Sequence, residues 1–239
     1  MKERKKNGFR RLLIWCRNIF LFLFLSSLLA VVALRFIPVY YTPLMFSRVF
    51  EQIREKKEVK LSHKWVPLSQ IAQPLVQAVI ASEDNLFMEH HGFDFDQIEK
   101  ALDEAEEGGR MRGASTISQQ TAKNVFLWQG KSYLRKGLEV YFTVLIELVW
   151  NKERIMEVYL NSIEMGEGIY GAEAVAGEHF GKQAYQLTKS EAALIAATLP
   201  NPRTFDSGNP SPYMLRRQQQ IMSLMDKIYK VEMGYGSTK

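Results

Sequence analysis

The sequence predicts a mainly α-helical fold: one helical domain carried behind a single N-terminal transmembrane helix. Three observations lead there. Apolar residues recur at helical spacing in segment after segment, as in residues 71–80, 95–107 and 214–228. A long apolar run free of charge lies near the N-terminus. The chain's 239 residues are 46% hydrophobic, with no internal repeat and no low-complexity linker, which suffices for one core and little more.

The N-terminus divides by charge. Lys2, Arg4, Lys5, Lys6, Arg10, Arg11 and Arg17 precede residues 18–34, which carry no charge and are rich in Phe and Leu. Arg35 interrupts the run and can snorkel, while Phe36, Ile37, Val39 and Tyr40 extend it. A cleaved signal peptide is the competing reading, but the run ends in Leu34-Arg35-Phe36-Ile37-Pro38, without a small-residue cleavage site. The expected organisation is a basic cytoplasmic tail at 1–17, an uncleaved anchor at 18–40, a stem at 41–68 and the domain at 69–239. The basic flank places the tail inside and the domain on the far side of the cytoplasmic membrane.

Along the stem, Phe46, Val49, Phe50 and Ile53 are spaced as on one helical face, beside Arg48, Arg54, Lys56 and Lys57. Such a helix lies on the bilayer or packs on the domain. Ser69 is the expected N-cap of the apolar helix leading to Glu83. Phe95 to Glu107 reads as a helix whose acidic face is simply solvated. Residues 140–160 read as one long core helix, and Glu147, Asn151 and Lys152 argue against a second membrane span. Gly166, Gly168, Gly171 and Gly177 mark tight loops. Thr188 and Glu191 form a capping box ahead of the small-residue helix 192–199, which Pro200-Asn201-Pro202 ends. Residues 229–239 read as a frayed tail.

Net charge is +5, which favours an anionic partner: nucleic acid, a membrane surface or a phosphorylated substrate. Zinc-finger spacing, a basic zipper and an RNP-like strand are all absent, so nucleic acid is not expected. One cysteine, Cys16, excludes an internal disulfide. The basic charge is concentrated. Residues 108–138 contain no Asp or Glu but do contain Arg110, Arg112, Lys123, Lys131, Arg135 and Lys136, a local positive field facing either an anionic ligand or anionic lipid.

The chemistry centres on residues 81–94. A buried-type helix ends in Ser82-Glu83-Asp84-Asn85, followed by His90, His91, Gly92 and Asp94. A carboxylate there is either partly desolvated, with a pKa raised toward proton-transfer duty, or a plain helix terminus facing water. Residues 113–124 are rich in small hydroxyl and amide side chains, suited to sugar or phosphate oxygens. The apolar residues 125–128 that follow pack in the core or dip into the lipid interface.

Glu83, Asp84, Phe87, His90, Gly92 and Asp94 match the Glu-Asp-x-x-Phe-x-x-His-x-Gly-x-Asp pattern of the peptidoglycan glycosyltransferases, glycosyltransferase family 51. Residues 113–124 resemble that family's second motif, and Arg135-Lys136-Gly137-Leu138-Glu139 its third. Glu157-x-Tyr159-Leu160-Asn161 resembles the fourth, and residues 192–202 the fifth. The five motifs stand in order over residues 81–202. No Ser-x-x-Lys with a later Lys-Thr-Gly occurs, so the chain resembles the monofunctional, membrane-anchored branch without a penicillin-binding domain.

The resemblance implies a lysozyme-like, two-lobed helical domain that polymerises lipid II into β-1,4-linked glycan strands and releases undecaprenyl diphosphate, without transpeptidase activity. It implies Glu83 as the base on the acceptor 4-hydroxyl and Glu139 as the second catalytic acid, set to position a cation or a divalent metal (Mg or Mn) at the diphosphate. No other cofactor is implied. Lys123, Lys131, Arg135 and Lys136 would meet the diphosphates. Asp84, Phe87, His90, Ser115, Thr116, Gln119, Gln120 and Asn124 would hold or orient the substrate. Structural roles remain open: Asp84 capping a loop, His90 satisfied in the core, Asn161 closing its helix. Leu138 stands where some members carry a further basic residue, and Lys131 where others carry Arg. Expected partners are lipid II, the growing glycan chain, the cytoplasmic membrane and other cell-wall synthesis or division proteins. The rival readings are a membrane-anchored lytic glycosidase and a non-enzymatic cell-wall scaffold.

Overall fold

The structure is a computed structural model that describes residues 2–106, 108, 113, 115–130 and 132–234. The chain divides into two compact units, residues 1–37 and 38–239. The first is a single helix, α1 (Lys2–Leu34). Its stretch Arg10–Leu34 is long and apolar enough to cross a membrane.

The second unit is mainly helical. α2 (Pro43–Arg54) starts at Thr42, whose hydroxyl accepts from the Met45 N–H. Leu44 and Met45 turn inward to Tyr170, while Phe46, Phe50 and Ile53 are exposed. α3 (Gln73–Glu83) begins later than expected. Ser69 belongs to a short 3₁₀ turn (Leu68–Gln70), and the helix starts with Pro74 in its first turn, where a missing N–H costs nothing. α4 (Phe95–Glu106) is capped by Asp94, which accepts from the Gln97 N–H at 2.9 Å.

The stretch expected to form one helix over 140–160 is two. α6 (Tyr133–Val149) stops at Trp150, and Asn151 caps α7 (Lys152–Ser162) by accepting from the Arg154 N–H at 2.8 Å. An Asn side chain that competes for backbone N–H groups favours such a break over a continuous helix. Nor is α6 a core helix. It buries Glu139, Thr143 and Ile146 but exposes Leu134, Val140, Val144 and Leu148. Its apolar residues run round more of the helix than α5 (Ile117–Phe126) and α7 can cover. The run 125–128 divides as well: Val125 and Leu127 are buried, Phe126 stacks on Phe142 at 4.5 Å, and Trp128 is about half exposed.

Two groups of helices make the domain. α5 (Ile117–Phe126) packs on α6 and α7. α3, α9 (Lys189–Thr198) and α10 (Pro212–Met225) pack on one another, and the alanines of α9 permit the close approach. α8 (Ala172–Phe180) lies beside a small sheet of β1 (Ser62–His63), β3 (Ile169–Tyr170) and β2 (Glu164–Gly166). β3 is central, parallel to β1 and antiparallel to β2. Thr188 and Glu191 form the expected capping box of α9.

Asn161 does more than close its helix. Fully buried, it accepts from the Val66 N–H and donates to the carbonyls of Val66 and Glu157, at 2.8–2.9 Å. It thereby ties the stem to α7. Gly171, at φ +83°, packs against the Asn161 carbonyl, which a Cβ would meet at 2.6 Å. Asn161→Ala leaves the N–H and carbonyl of Val66 short of partners. It is expected to cost about 2–4 kcal/mol, a fall of roughly 5–15 °C in melting temperature. An unchanged unfolding curve in detergent would refute the tie.

Candidate active site

The site forms where α3 ends and α5 begins. Asp84 is buried and both its oxygens are engaged: Oδ1 with His90 Nε2 at 2.8 Å, Oδ2 by the Ile117 N–H at 2.9 Å. The second bond satisfies one of the orphan N–H groups at the start of α5, where a carboxylate is also favoured by the helix dipole. Thr116 and Gln119 complete that helix start as a capping box, and the Thr116 hydroxyl donates to the Gly92 carbonyl at 2.7 Å.

Gly92 takes φ +93°, and a Cβ there would meet Thr143 at 2.8 Å, so the His90–Gly92 loop lies flat on α6. Phe87 is fully buried beneath the Lys152 ammonium, 4.6 Å from its ring centroid. Lys152 is held by Glu147, which also accepts from Ser118. Asp84, Phe87, His90, Thr116 and Gln119 therefore frame the site through the contacts just described, and Asp84 and Thr116 also line the cleft beside Glu83. Asn124 is buried on α5.

Glu83, the last residue of α3, is turned toward an open cleft of about 290 Å³ lined also by Asn85, Ser115, Leu224 and Ile228. One oxygen accepts from Gln120 Nε2 at 3.0 Å. Burial pushes its pKa above the usual carboxylate range. The Gln120 hydrogen bond and the charges of Arg217 and Lys123 pull it back, and Asp84 adds to the rise.

Glu139 is buried on α6. Its two oxygens accept from Lys136 Nζ at 2.5 Å and Arg135 Nη1 at 3.1 Å. Lys123, on α5, links the two carboxylates. Burial lowers its pKa, the charges of Arg135 and Lys136 lower it further, and Glu139 and Glu83 oppose the fall. Lys123 therefore lies within electrostatic reach of Glu83, Glu139, Arg135 and Lys136. Lys131 lies outside the described residues.

The donor set does not fit a metal held by the protein. Glu139 has both oxygens in ion pairs, and no group of three His, Cys, Asp or Glu side chains is placed to hold an ion among the described residues.

Two residues escaped the sequence reading. Tyr159, inside the fourth motif, reaches Gln120 Oε1 with its hydroxyl at 3.4 Å. A tyrosine in a buried helical run reads as packing, and nothing local reveals its partner. Arg217, on α10, acts on Glu83 from outside all five motifs. A larger hollow of about 570 Å³, lined by Lys57, Lys60, Glu167, His179 and Arg203, contains none of the expected site residues. Beside it Ser207 and Asp206 both approach His179 Nδ1, at 2.7 and 3.4 Å, so the three do not form a nucleophile–base–acid relay.

Burial of Glu83 has a stability consequence. Its folded pKa lies above its unfolded one, so its contribution is complete below the unfolded value and is lost as pH rises through the folded value. Glu83→Gln is expected to melt above the parent protein near neutral pH, with the two converging below about pH 4. A constant gap across that range would show that burial is not what perturbs the group.

Residues 48–226 match the family model described as Transglycosylase. A relative from Bacteroides thetaiotaomicron, named "Biosynthetic peptidoglycan transglycosylase", is 57% identical over 221 residues, 92% of this chain and 89% of the relative. Proteins of the same name from Bdellovibrio bacteriovorus and Caulobacter vibrioides are each 50% identical. They cover 87% and 89% of this chain, and 84% and 90% of their own lengths.

Proposed function

The chain belongs to the transglycosylase family, and from that premise we propose that it polymerises lipid II into β-1,4-linked glycan, with Glu83 as the base. One observation carries the reading: Glu83, held by Gln120, lies on an open cleft, and the half-buried Lys123 is within electrostatic reach of both Glu83 and the ion-paired Glu139. Glu83 keeps an open side toward the cleft, while Gln120 holds one of its oxygens.

The reaction follows from that asymmetry. Glu83 takes the proton of the acceptor sugar's 4-hydroxyl as its oxygen attacks the anomeric carbon of the growing chain. The bond from that carbon to the diphosphate breaks, the configuration inverts, and undecaprenyl diphosphate departs. Charge gathers on the leaving oxygens, where Arg135, Lys136 and Lys123 stabilise it without reorganising. By the family resemblance we also assign Lys131 a role toward the diphosphate. Glu139 holds Arg135 and Lys136 in place. Ser115, on the cleft, faces the sugars, and no step passes through a metal. The substrate supplies its own leaving group, so nucleotide is not required.

The anchor fits a lipid-borne substrate, which stays in the bilayer next to the enzyme. We place the basic N-terminus in the cytoplasm and the domain on the outer side of the cytoplasmic membrane, following the positive flank.

The test is lipid II in detergent or vesicles, with products resolved by size. Glu83→Gln is expected to lower polymer formation by about 10²–10⁴-fold while retaining the fold. Release of fragments from finished glycan, with no polymer from lipid II, would instead establish a lytic glycosidase. Lys136 is half exposed, so Lys136→Gln should barely change the melting temperature. It should lower kcat/KM for lipid II about tenfold or more, as a lost charge-assisted phosphate contact does. Equal loss of rate and stability would make Lys136 a scaffold residue.

A further inference from the structure

Tyr159 is fully buried, and its hydroxyl has one partner among the described residues, the Gln120 amide oxygen at 3.4 Å. A phenylalanine would fill the same space without the cost of burying a hydroxyl. Gln120 is half-buried, and its amide is engaged at both ends: oxygen toward Tyr159, nitrogen to Glu83 Oε2 at 3.0 Å. Turned over, the amide would set its oxygen against the Glu83 carboxylate and its NH₂ against the tyrosine hydroxyl. With Glu83 ionised the first contact is repulsive. With Glu83 protonated it becomes a hydrogen bond. The amide's orientation and the proton on Glu83 are therefore coupled.

We propose that Tyr159 is the positioning residue for the base: its hydroxyl, donating to Gln120 Oε1, holds the amide with NH₂ turned to Glu83. Tyr159 touches no reacting atom. It acts through Gln120, keeping the site in the state that accepts a proton from the acceptor sugar. The inference rests on Glu83 being the base of the proposed reaction.

The other groups facing Glu83 are charged and come from three elements. Asp84 adjoins it at the end of α3, Lys123 faces it from α5, and Arg217 from α10. They set a background that the amide does not alter. Tyr159 itself is held in the neutral form by burial and by the charges of Glu83 and Asp84, so at working pH it keeps the O–H that it donates to Gln120 Oε1.

The test is a double-mutant cycle on Tyr159→Phe and Gln120→Leu in the full-length chain. Two readouts are used: the acid limb of the pH–rate profile with lipid II, and the ¹³C titration of the Glu83 carboxyl, assigned by its loss in Glu83→Gln. Tyr159→Phe is expected to move both midpoints up by about one pH unit, the scale of one charge-assisted hydrogen bond. The KM for lipid II should stay within about twofold while kcat falls near neutral pH and recovers at higher pH. In the Gln120→Leu background the same change should move the Glu83 midpoint no further.

Independent, additive shifts would overturn the proposal, as would an unshifted midpoint with a uniformly lower rate. A Tyr159→Phe chain that no longer folds would assign the hydroxyl to the scaffold, with the same result. If the parent protein makes no polymer, the functional reading fails by itself, and the carboxyl titration still decides on Tyr159.

Discussion

The Asp84 carboxylate is the joint of the active domain. One oxygen meets His90 and the other takes the first N–H of α5, so the end of one helix is fastened to the start of another. Glu83 and Gln120 occupy those two ends, and their hydrogen bond depends on the joint's geometry. The joint is buried, where an unpaired carboxylate would be costly, so its bonds are hard to give up singly. The loop carrying His90 and Gly92 is pressed onto α6 by the same arrangement, through the Thr116 hydroxyl and the glycine's close approach to Thr143.

Around that joint, charge is distributed unequally. Glu83 is desolvated and held by a neutral amide, so its proton affinity rises. Glu139 is buried too, with both carboxylate oxygens in ion pairs to Arg135 and Lys136. Two glutamates of one chain thus sit in different surroundings, one held by a neutral amide and the other by two cations. Lys123 feels the charge of both and is itself largely desolvated, which strengthens the charge interactions it makes.

The exposed apolar residues of α6 and α2 belong to a chain whose N-terminal helix can cross a membrane. A soluble domain with that many uncovered Leu, Val and Phe side chains would be prone to associate. Near a bilayer such residues have an apolar phase to meet.

Much of this was legible in the residues themselves. The charge-free run predicted α1, the capping box predicted the start of α9, and six fixed positions between Glu83 and Asp94 pointed to the family. Those signals are local: a helix start or a membrane segment is decided within a few turns of chain. The break at Asn151, the exposed face of α6 and the framing duties of Phe87, Thr116 and Gln119 were not legible, because each depends on which distant surface arrives. Tyr159 and Gln120 lie 39 positions apart and Arg217 far beyond the motifs, yet all three converge on Glu83. The sequence alone determined which groups were present to do the chemistry. Only the packing of α3, α5, α7 and α10 decided which of them share one dielectric environment, since proton affinity follows burial and neighbours, not position in the chain.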